Sequence, residues 1–176
     1  MRNRIFLICS VFVVLTALAC GSKKAEPETF QNATASIEFK NRGVVVFKLY
    51  PDKAPNITKQ FIKLARDSFY NGLQVWRIST PGIIQSGCPN NDGTGHSGKL
   101  FKEEIDTTLH HKRGTLSMIN FGKPLTTSSQ FIICKKDCSE LDGKYTIIGQ
   151  AIAGLNVLDS IEKFDTVLSV TIKEGD

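Results

Sequence analysis

The stretch GTLSMINFGKPLTTSSQFIIC, residues 114–134, contains two short apolar segments that each lie beside an amide side chain. Thr115–Ile119 leads into Asn120, and Gln130 immediately precedes Phe131–Cys134. Both segments are apolar or β-branched and are bounded by turn residues, as strands usually are. The stretch therefore predicts two strands of a β-sheet, each with a polar side chain at one end.

Further strand candidates lie on both sides of this stretch. They are Leu73–Ile78, Ile83–Ser86, Thr146–Gln150 and Leu168–Ile172, each bounded by turn residues. Near the start, residues 36–49 alternate between apolar and polar positions around a turn at residues 41–43. This alternation is typical of a β-hairpin.

Only two segments show helical spacing. The first begins at Pro55, continues through Phe61 and Leu64, and is stopped by Gly72. The second predicts a helix of about ten residues. Its apolar positions are Val157, Leu158, Ile161 and Phe164. Many short strands with two helices favour a mainly β fold, a closed antiparallel barrel, and a length of 176 residues fits one globular domain.

A polar set runs through the middle of the chain, namely Arg77, Gln85, Asn120 and Gln130. One guanidinium and three amides offer hydrogen-bond donors and acceptors without a nucleophile, a metal cage or a paired acid and base. Such a set suits gripping a peptide backbone. It argues against chemistry that breaks a covalent bond.

Four phrases carry a resemblance to a known family. They are VWRISTPGIIQSG (75–87), GTLSMINFG (114–122), SSQFIIC (128–134) and LDGKYTIIGQ (141–150). From about Ser36 to about Ile172, the chain resembles the cyclophilin family of peptidyl-prolyl cis-trans isomerases. The resemblance implies a closed eight-stranded antiparallel β-barrel capped by two α-helices. It also implies an enzyme that needs no cofactor and acts on proline-containing peptide segments.

Arg77 is the candidate for the catalytic donor. Delocalisation of the nitrogen lone pair gives the peptide bond a rotational barrier of about 18 to 20 kcal/mol. A guanidinium that donates to the twisted amide would lower this barrier. The resemblance matches Arg77 to the arginine of the family's FHR motif. It matches Gln85 to a glutamine that supports this arginine and holds the substrate backbone.

The resemblance also predicts the residues that bind the substrate. They are Trp76, Ile83, Asn120, Gln130, Ile132, Leu141 and Tyr145. Several depart from the family pattern, since Ile132 replaces a phenylalanine, Tyr145 a histidine and Glu140 a frequent tryptophan. Losing aromatic walls weakens proline binding. The alternative of a non-catalytic proline-peptide-binding module or chaperone on the same barrel therefore stays open, as does a structural or host-contact surface lipoprotein.

The first residues predict export. Arg2 and Arg4 precede an apolar run that is too short to span a bilayer, which is typical of a signal peptide over residues 1–19. The residues around Cys20 resemble a bacterial lipoprotein signal, which implies lipidation of Cys20. Residues 20–35 then predict a flexible tether, and residues 36–176 the cyclophilin-like domain. We expect a lipid-anchored protein of the bacterial cell envelope, with its domain in the periplasm or at the cell surface.

Charge and metal-ligand spacing limit the partners. Removing Arg2 and Arg4 lowers the formal charge from +5 to +3, and no basic run with interleaved aromatics predicts nucleic-acid binding. His96, His110 and His111 have no cysteine or acidic residue at metal-site spacing, so no metal is predicted. A monomer that contacts a membrane through its N-terminal lipid is expected.

The cysteines leave the redox state open. Three of the five remain in the predicted domain, and an odd number leaves at least one thiol unpaired. Cys134 and Cys138 are close enough in sequence for a short-loop disulfide, whereas Cys88 is expected to be a buried or half-buried thiol.

Overall fold

Eight strands and two α-helices follow one another in the computed structural model, which describes residues 30–80 and 82–175. The strands are β1 (Thr34–Phe39), β2 (Gly43–Leu49), β3 (Arg77–Ser79), β4 (Ile83–Ser86), β5 (Thr115–Met118), β6 (Phe131–Cys134), β7 (Thr146–Ala153) and β8 (Val167–Lys173). The helices are α1 (Pro55–Arg66) and α2 (Leu155–Ser160), with a 3₁₀ turn at Ser139–Leu141. The predicted signal peptide and the lipidation at Cys20 lie outside the described residues. Within those residues, neither helix has the length and apolar composition needed to cross a bilayer.

All eight strands belong to one antiparallel sheet, in the order β3-β4-β6-β5-β7-β2-β1-β8. The prediction of a mainly β fold with eight antiparallel strands and two helices is confirmed. The prediction of a closed barrel is wrong, because no ladder joins β3 to β8 in the described chain. The sheet is an open half-barrel.

Strand β3 is shorter than predicted and begins only at Arg77. The first residues of the predicted strand Leu73–Ile78 instead contact the other edge of the sheet. They do so through an isolated bridge between Gln74 and Thr166 and through backbone hydrogen bonds, among them those from the Val75 N–H to the Asp165 carbonyl and from the Val167 N–H to the Leu73 carbonyl, both at 2.8 Å. The backbone N–H of Gln74 donates to Asn91 Oδ1 at 2.7 Å, and its carbonyl accepts from Ser86 Oγ at 2.9 Å. Since side chains take both groups, β3 does not pair with β4 until Arg77.

Helix α1 covers one face of the sheet and completes the core through aromatic contacts. Phe61 of α1, Tyr70 and Phe131 of β6 are all fully buried. The ring centroids of Phe61 and Phe131 are 6.2 Å apart, and those of Tyr70 and Phe131 are 5.5 Å apart. These contacts join the helix to the strand that follows Gln130.

The start of α1 is capped from a distant loop. Ala54 precedes the helix and offers no side-chain hydrogen bond to its free N–H groups. The Glu104 carboxylate instead accepts the backbone N–H of Asn56 at 3.3 Å and of Ile57 at 2.9 Å. A negative charge at this end also interacts favourably with the helix dipole.

Helix α2 is shorter than the predicted ten residues. It ends at Ser160, and Ile161 is extended with φ −71° and ψ 132°. Lys135 donates from Nζ to the carbonyl oxygens of Asp159 at 3.3 Å and Ile161 at 3.1 Å. Lys135 therefore satisfies carbonyl groups at and just beyond the end of the helix, and Phe164 lies 60% exposed in a turn with φ 73°.

The folded part begins before the predicted boundary at Ser36. Phe30 and Ala33 are buried in the core, and the carbonyl of Ala33 accepts the N–H of Leu49 at 2.9 Å. Ser36 itself lies within β1. The end of the predicted tether is therefore part of the sheet.

The three cysteines of the described chain are free and buried. The possibility of a disulfide between Cys134 and Cys138 is not realised, whereas the expectation for Cys88 is confirmed. Burial, together with the nearby Cys138, raises the pKa of the Cys134 thiol.

Candidate active site

A cavity of about 510 Å³ opens beside β3, β4 and β6. All nine residues predicted to act in catalysis or substrate binding line it. They are Trp76, Arg77, Ile83, Gln85, Asn120, Gln130, Ile132, Leu141 and Tyr145. We call this cavity the proline hollow, after the ligand that the sequence resemblance predicts for it. Its walls include both charged and apolar side chains.

Arg77 brings an uncommitted cation to the proline hollow. It is the first residue of β3, is exposed, and lies directly opposite Gln85 of β4 in the strand register. Within residues 30–80 and 82–175, its guanidinium has no hydrogen bond and no ion pair. Its donors are therefore free to bind a ligand in the hollow.

Two buried glutamines form a hydrogen-bonded chain behind Arg77. Gln85 donates from Nε2 to Gln130 Oε1 at 3.1 Å. Gln130 donates from its own Nε2 to the carbonyl oxygens of Gly93 and Gly95, both at 2.9 Å. These bonds fix the orientation of both amide groups. The Gln85 amide oxygen has no protein partner in the described chain and can accept a hydrogen bond from a ligand.

A glycine loop supports the aromatic wall of the proline hollow. Gly93 has φ +90°, and a Cβ at this position would lie 2.7 Å from the Trp76 ring. The buried sulfur of Cys88 accepts the N–H groups of Gly93 at 3.2 Å and Gly95 at 3.3 Å. Glycine therefore lets Trp76 pack closely on the loop, while Cys88 holds the loop in shape.

Asn120 commits its side chain to the protein and leaves its backbone open. Its Oδ1 accepts the N–H of Gly122 at 3.0 Å, and its Nδ2 donates to the carbonyl of Lys144 at 3.3 Å. No backbone hydrogen bond of Asn120 itself occurs in the described part of the chain. An extended peptide could therefore pair with its N–H and C=O.

Sequence reasoning missed part of the lining. The additional residues are Ser79, Thr80, Gly93, Ile119, Phe121 and Gly122. Phe121 is the most informative of them, because it adds an aromatic ring that is 38% exposed and lies 6.2 Å from the His96 ring. Its position directly after Asn120 was a signal that could have identified it. Glu140 also lines the hollow, so a carboxylate stands on the rim where the family often has tryptophan.

The turn at residues 141–144 is anchored by Asp142 and places Leu141 and Tyr145 in the hollow. The Asp142 carboxylate accepts the backbone N–H of His111 at 2.7 Å and contacts Nδ1 of both His110 and His111, at 2.8 and 2.9 Å. Burial lowers the pKa of His111 more than Asp142 raises it. In the described residues no group of three potential ligands could hold a metal ion, and the two histidines share this carboxylate.

Replacing Asp142 with asparagine is expected to remove part of the acid dependence of stability. Partial burial raises the pKa of Asp142, but its hydrogen bonds from His111 and His110 outweigh that effect and lower the pKa to about 2. The stabilisation is therefore complete above the unfolded pKa near 4 and is lost as the pH falls through the folded pKa. Asp142→Asn is expected to be less stable by about 1 to 2 kcal/mol at pH 7, with the difference closing between about pH 4 and 2.

Urea unfolding at pH values from 2 to 7 measures this effect. Asp67→Asn is the matched control, since Asp67 is exposed and, among the described residues, its one ion pair is with Lys63 of α1. Parallel pH profiles for the wild type and Asp142→Asn would contradict the anchoring role.

Comparison with known proteins agrees with this geometry. Residues 34–175 match the family model described as cyclophilin type peptidyl-prolyl cis-trans isomerase/CLD. A peptidyl-prolyl cis-trans isomerase of Helicobacter pylori is 38% identical over 153 residues, covering 85% of this chain and 93% of that protein. Peptidyl-prolyl cis-trans isomerase B of Bacillus subtilis is 35% identical over 130 residues, covering 73% and 90%. The crystal structure of a Cryptosporidium parvum cyclophilin type peptidyl-prolyl cis-trans isomerase matches with a TM-score of 0.75 and 28% identity, covering 81% of this chain and 98% of that chain.

Proposed function

The chain belongs to the cyclophilin family of peptidyl-prolyl cis-trans isomerases, and we propose that it isomerises the peptide bond before proline in the hollow around Arg77. The observation that carries this assignment is the Arg77 guanidinium, which has no partner among the described residues and lies at a cavity with apolar walls. No bond to the substrate needs to form or break. The protein has only to stabilise the twisted amide more than either planar form.

Arg77 supplies the stabilisation. As the peptide bond rotates, its nitrogen lone pair becomes localised, because conjugation with the carbonyl is lost. A guanidinium N–H that donates to this nitrogen, or to the carbonyl oxygen of the twisted amide, binds the transition state better than the ground state. Gln85 lines the same hollow, and its amide oxygen, which has no partner among the described residues, is suited to orient the guanidinium or the substrate N–H.

The remaining walls hold the substrate while its acyl side turns. The apolar side chains of Ile83, Ile132 and Leu141, together with Tyr145, surround a space suited to the proline ring. The open backbone groups of Asn120 pair with the preceding residues of the peptide. Fixing the chain on one side of the rotating bond limits the motion to that bond.

Exchange spectroscopy by NMR tests the function directly. The purified protein is mixed with a peptide that contains one alanine-proline bond, and the cis-trans exchange rate is measured with and without protein. We expect clear acceleration at protein concentrations far below that of the peptide. Binding without acceleration would instead support the non-catalytic peptide-binding module, which the carboxylate of Glu140 at the rim of the hollow favours.

We further propose that the clients are exported proteins and that Cys20 carries a lipid in the bacterial envelope. The support is the sequence pattern of residues 1–22 alone, with two arginines, an apolar run and small residues around the cysteine. Cys20→Ala is expected to abolish incorporation of a labelled fatty acid and to release the protein from the membrane fraction. A membrane-bound, labelled Cys20→Ala protein would contradict the anchor and leave the isomerase assignment unchanged.

A further inference from the structure

We propose that the isomerase has a second, positively charged subsite, which takes an acidic side chain of the same peptide. This subsite is a cavity of about 470 Å³. Its walls are formed by Glu103 and Ile105, by the loop residues Lys123 and Pro124, and by Gly143 and Lys144 of the turn before β7. The inference rests on the proposed function, because it concerns residues that flank the proline of that substrate.

The second subsite is continuous with the proline hollow. Asn120, Gly122 and Tyr145 line both cavities. The open backbone groups of Asn120 therefore lie at the boundary between them. Since an extended chain advances by about 3.3 Å per residue, a peptide seated in the hollow reaches the subsite within a few residues of its proline.

Hydrogen bonds hold the walls of the second subsite in place. The loop after β5 is closed by a bond from the N–H of Phe121 to Thr126 Oγ1 at 2.9 Å. The Asn120 side chain connects this loop to the carbonyl of Lys144 at 3.3 Å. On the third side, the N–H of Glu104 donates to Thr146 Oγ1 at 3.0 Å. The cavity is therefore built by bonds between its walls.

The positive charge of the second subsite favours a carboxylate ligand. Lys123 and Lys144 are exposed, and neither forms an ion pair within residues 30–80 and 82–175. By contrast, Lys53 and Lys63 are paired with aspartates. Glu103 is the one acidic residue among the described residues of the lining, and one of its oxygens is buried without a hydrogen bond. The two lysines thus leave one excess positive charge for a ligand.

A peptide series tests the subsite. One glutamate is moved from three residues before to three residues after the proline, and each peptide is compared with its glutamine counterpart. Exchange rates give kcat/KM, and calorimetry gives Kd at low ionic strength. At one or two positions, we expect the glutamate peptide to bind and react about threefold to tenfold better, through a lower KM at unchanged kcat.

The double variant Lys123→Gln/Lys144→Gln is expected to bring this ratio to about one while the glutamine peptides react as before. The control Lys40→Gln/Lys173→Gln removes the same charge from exposed positions in the half of the sheet that lines neither cavity. It is expected to keep the preference. A wild-type ratio near one at every position, or an equal loss of preference in the control, would overturn the subsite. Absence of isomerisation for all peptides would overturn the proposed function, and the ratio of Kd values would then still decide on the subsite.

Discussion

Replacing Arg77 with alanine is expected to lower kcat/KM for isomerisation by roughly tenfold to a hundredfold. A hydrogen bond from a charged donor contributes about 1.5 to 3 kcal/mol, and each 1.36 kcal/mol of transition-state stabilisation is worth a factor of about ten. Because the guanidinium has no partner in the described protein, its removal leaves no buried group unsatisfied. The loss is therefore expected in kcat, with KM and the free energy of unfolding little changed.

Arg77→Lys is the informative control for this variant. Lysine keeps the positive charge but lacks the planar set of donors that guanidinium presents. We expect partial activity from Arg77→Lys, above that of Arg77→Ala. Full activity of Arg77→Ala would contradict the catalytic role of Arg77. It would leave the isomerase activity of the protein itself unaffected.

Replacing Phe131 with alanine is expected to destabilise the protein by about 3 to 5 kcal/mol, as large-to-small changes at buried aromatic positions do. Phe131 is fully buried and touches Phe61 of α1 and Tyr70 through edge-on ring contacts. Its removal opens a cavity between helix and sheet, next to Gln130 in the chain. Urea unfolding followed by circular dichroism measures the change in free energy from the midpoint and slope.

Phe164→Ala is the matched control, because Phe164 is 60% exposed and lies in the turn that follows α2. Its replacement is expected to change the free energy of unfolding by no more than about 0.5 kcal/mol. Equal losses in the two variants would show that the ring cluster around Phe131 is not a main source of stability.

The sequence was sufficient to predict most of the strands, the first helix and the gathering of the site residues. These features depend on local pattern and on short phrases, so that Gln85 and Gln130 could be assigned to one site although 45 positions separate them. Whether Arg77 acts as predicted is decided by the kinetic comparison of Arg77→Ala with Arg77→Lys.

The features that the sequence did not predict depend on contacts between distant residues. Helix α2 ends at Ser160, where Lys135, which follows β6, donates to the carbonyl groups of Asp159 and Ile161. The strand predicted from Leu73 pairs with β4 only from Arg77 onward, because the backbone of Gln74 is occupied by the side chains of Asn91 and Ser86. No local sequence pattern marks Lys135, Asn91 or Ser86 as such a partner. Apolar periodicity therefore could not predict where α2 ends or where β3 begins.

The distant cap on α1 has a consequence for the order in which the chain folds. Asn56 and its cap Glu104 are separated by 48 positions. Ribosomes add about 5 to 20 residues per second, so the helix emerges several seconds before the residue that completes its first turn. During that interval α1 lacks its cap and its first turn is expected to fray, so the helix is not expected to serve as an early folding nucleus.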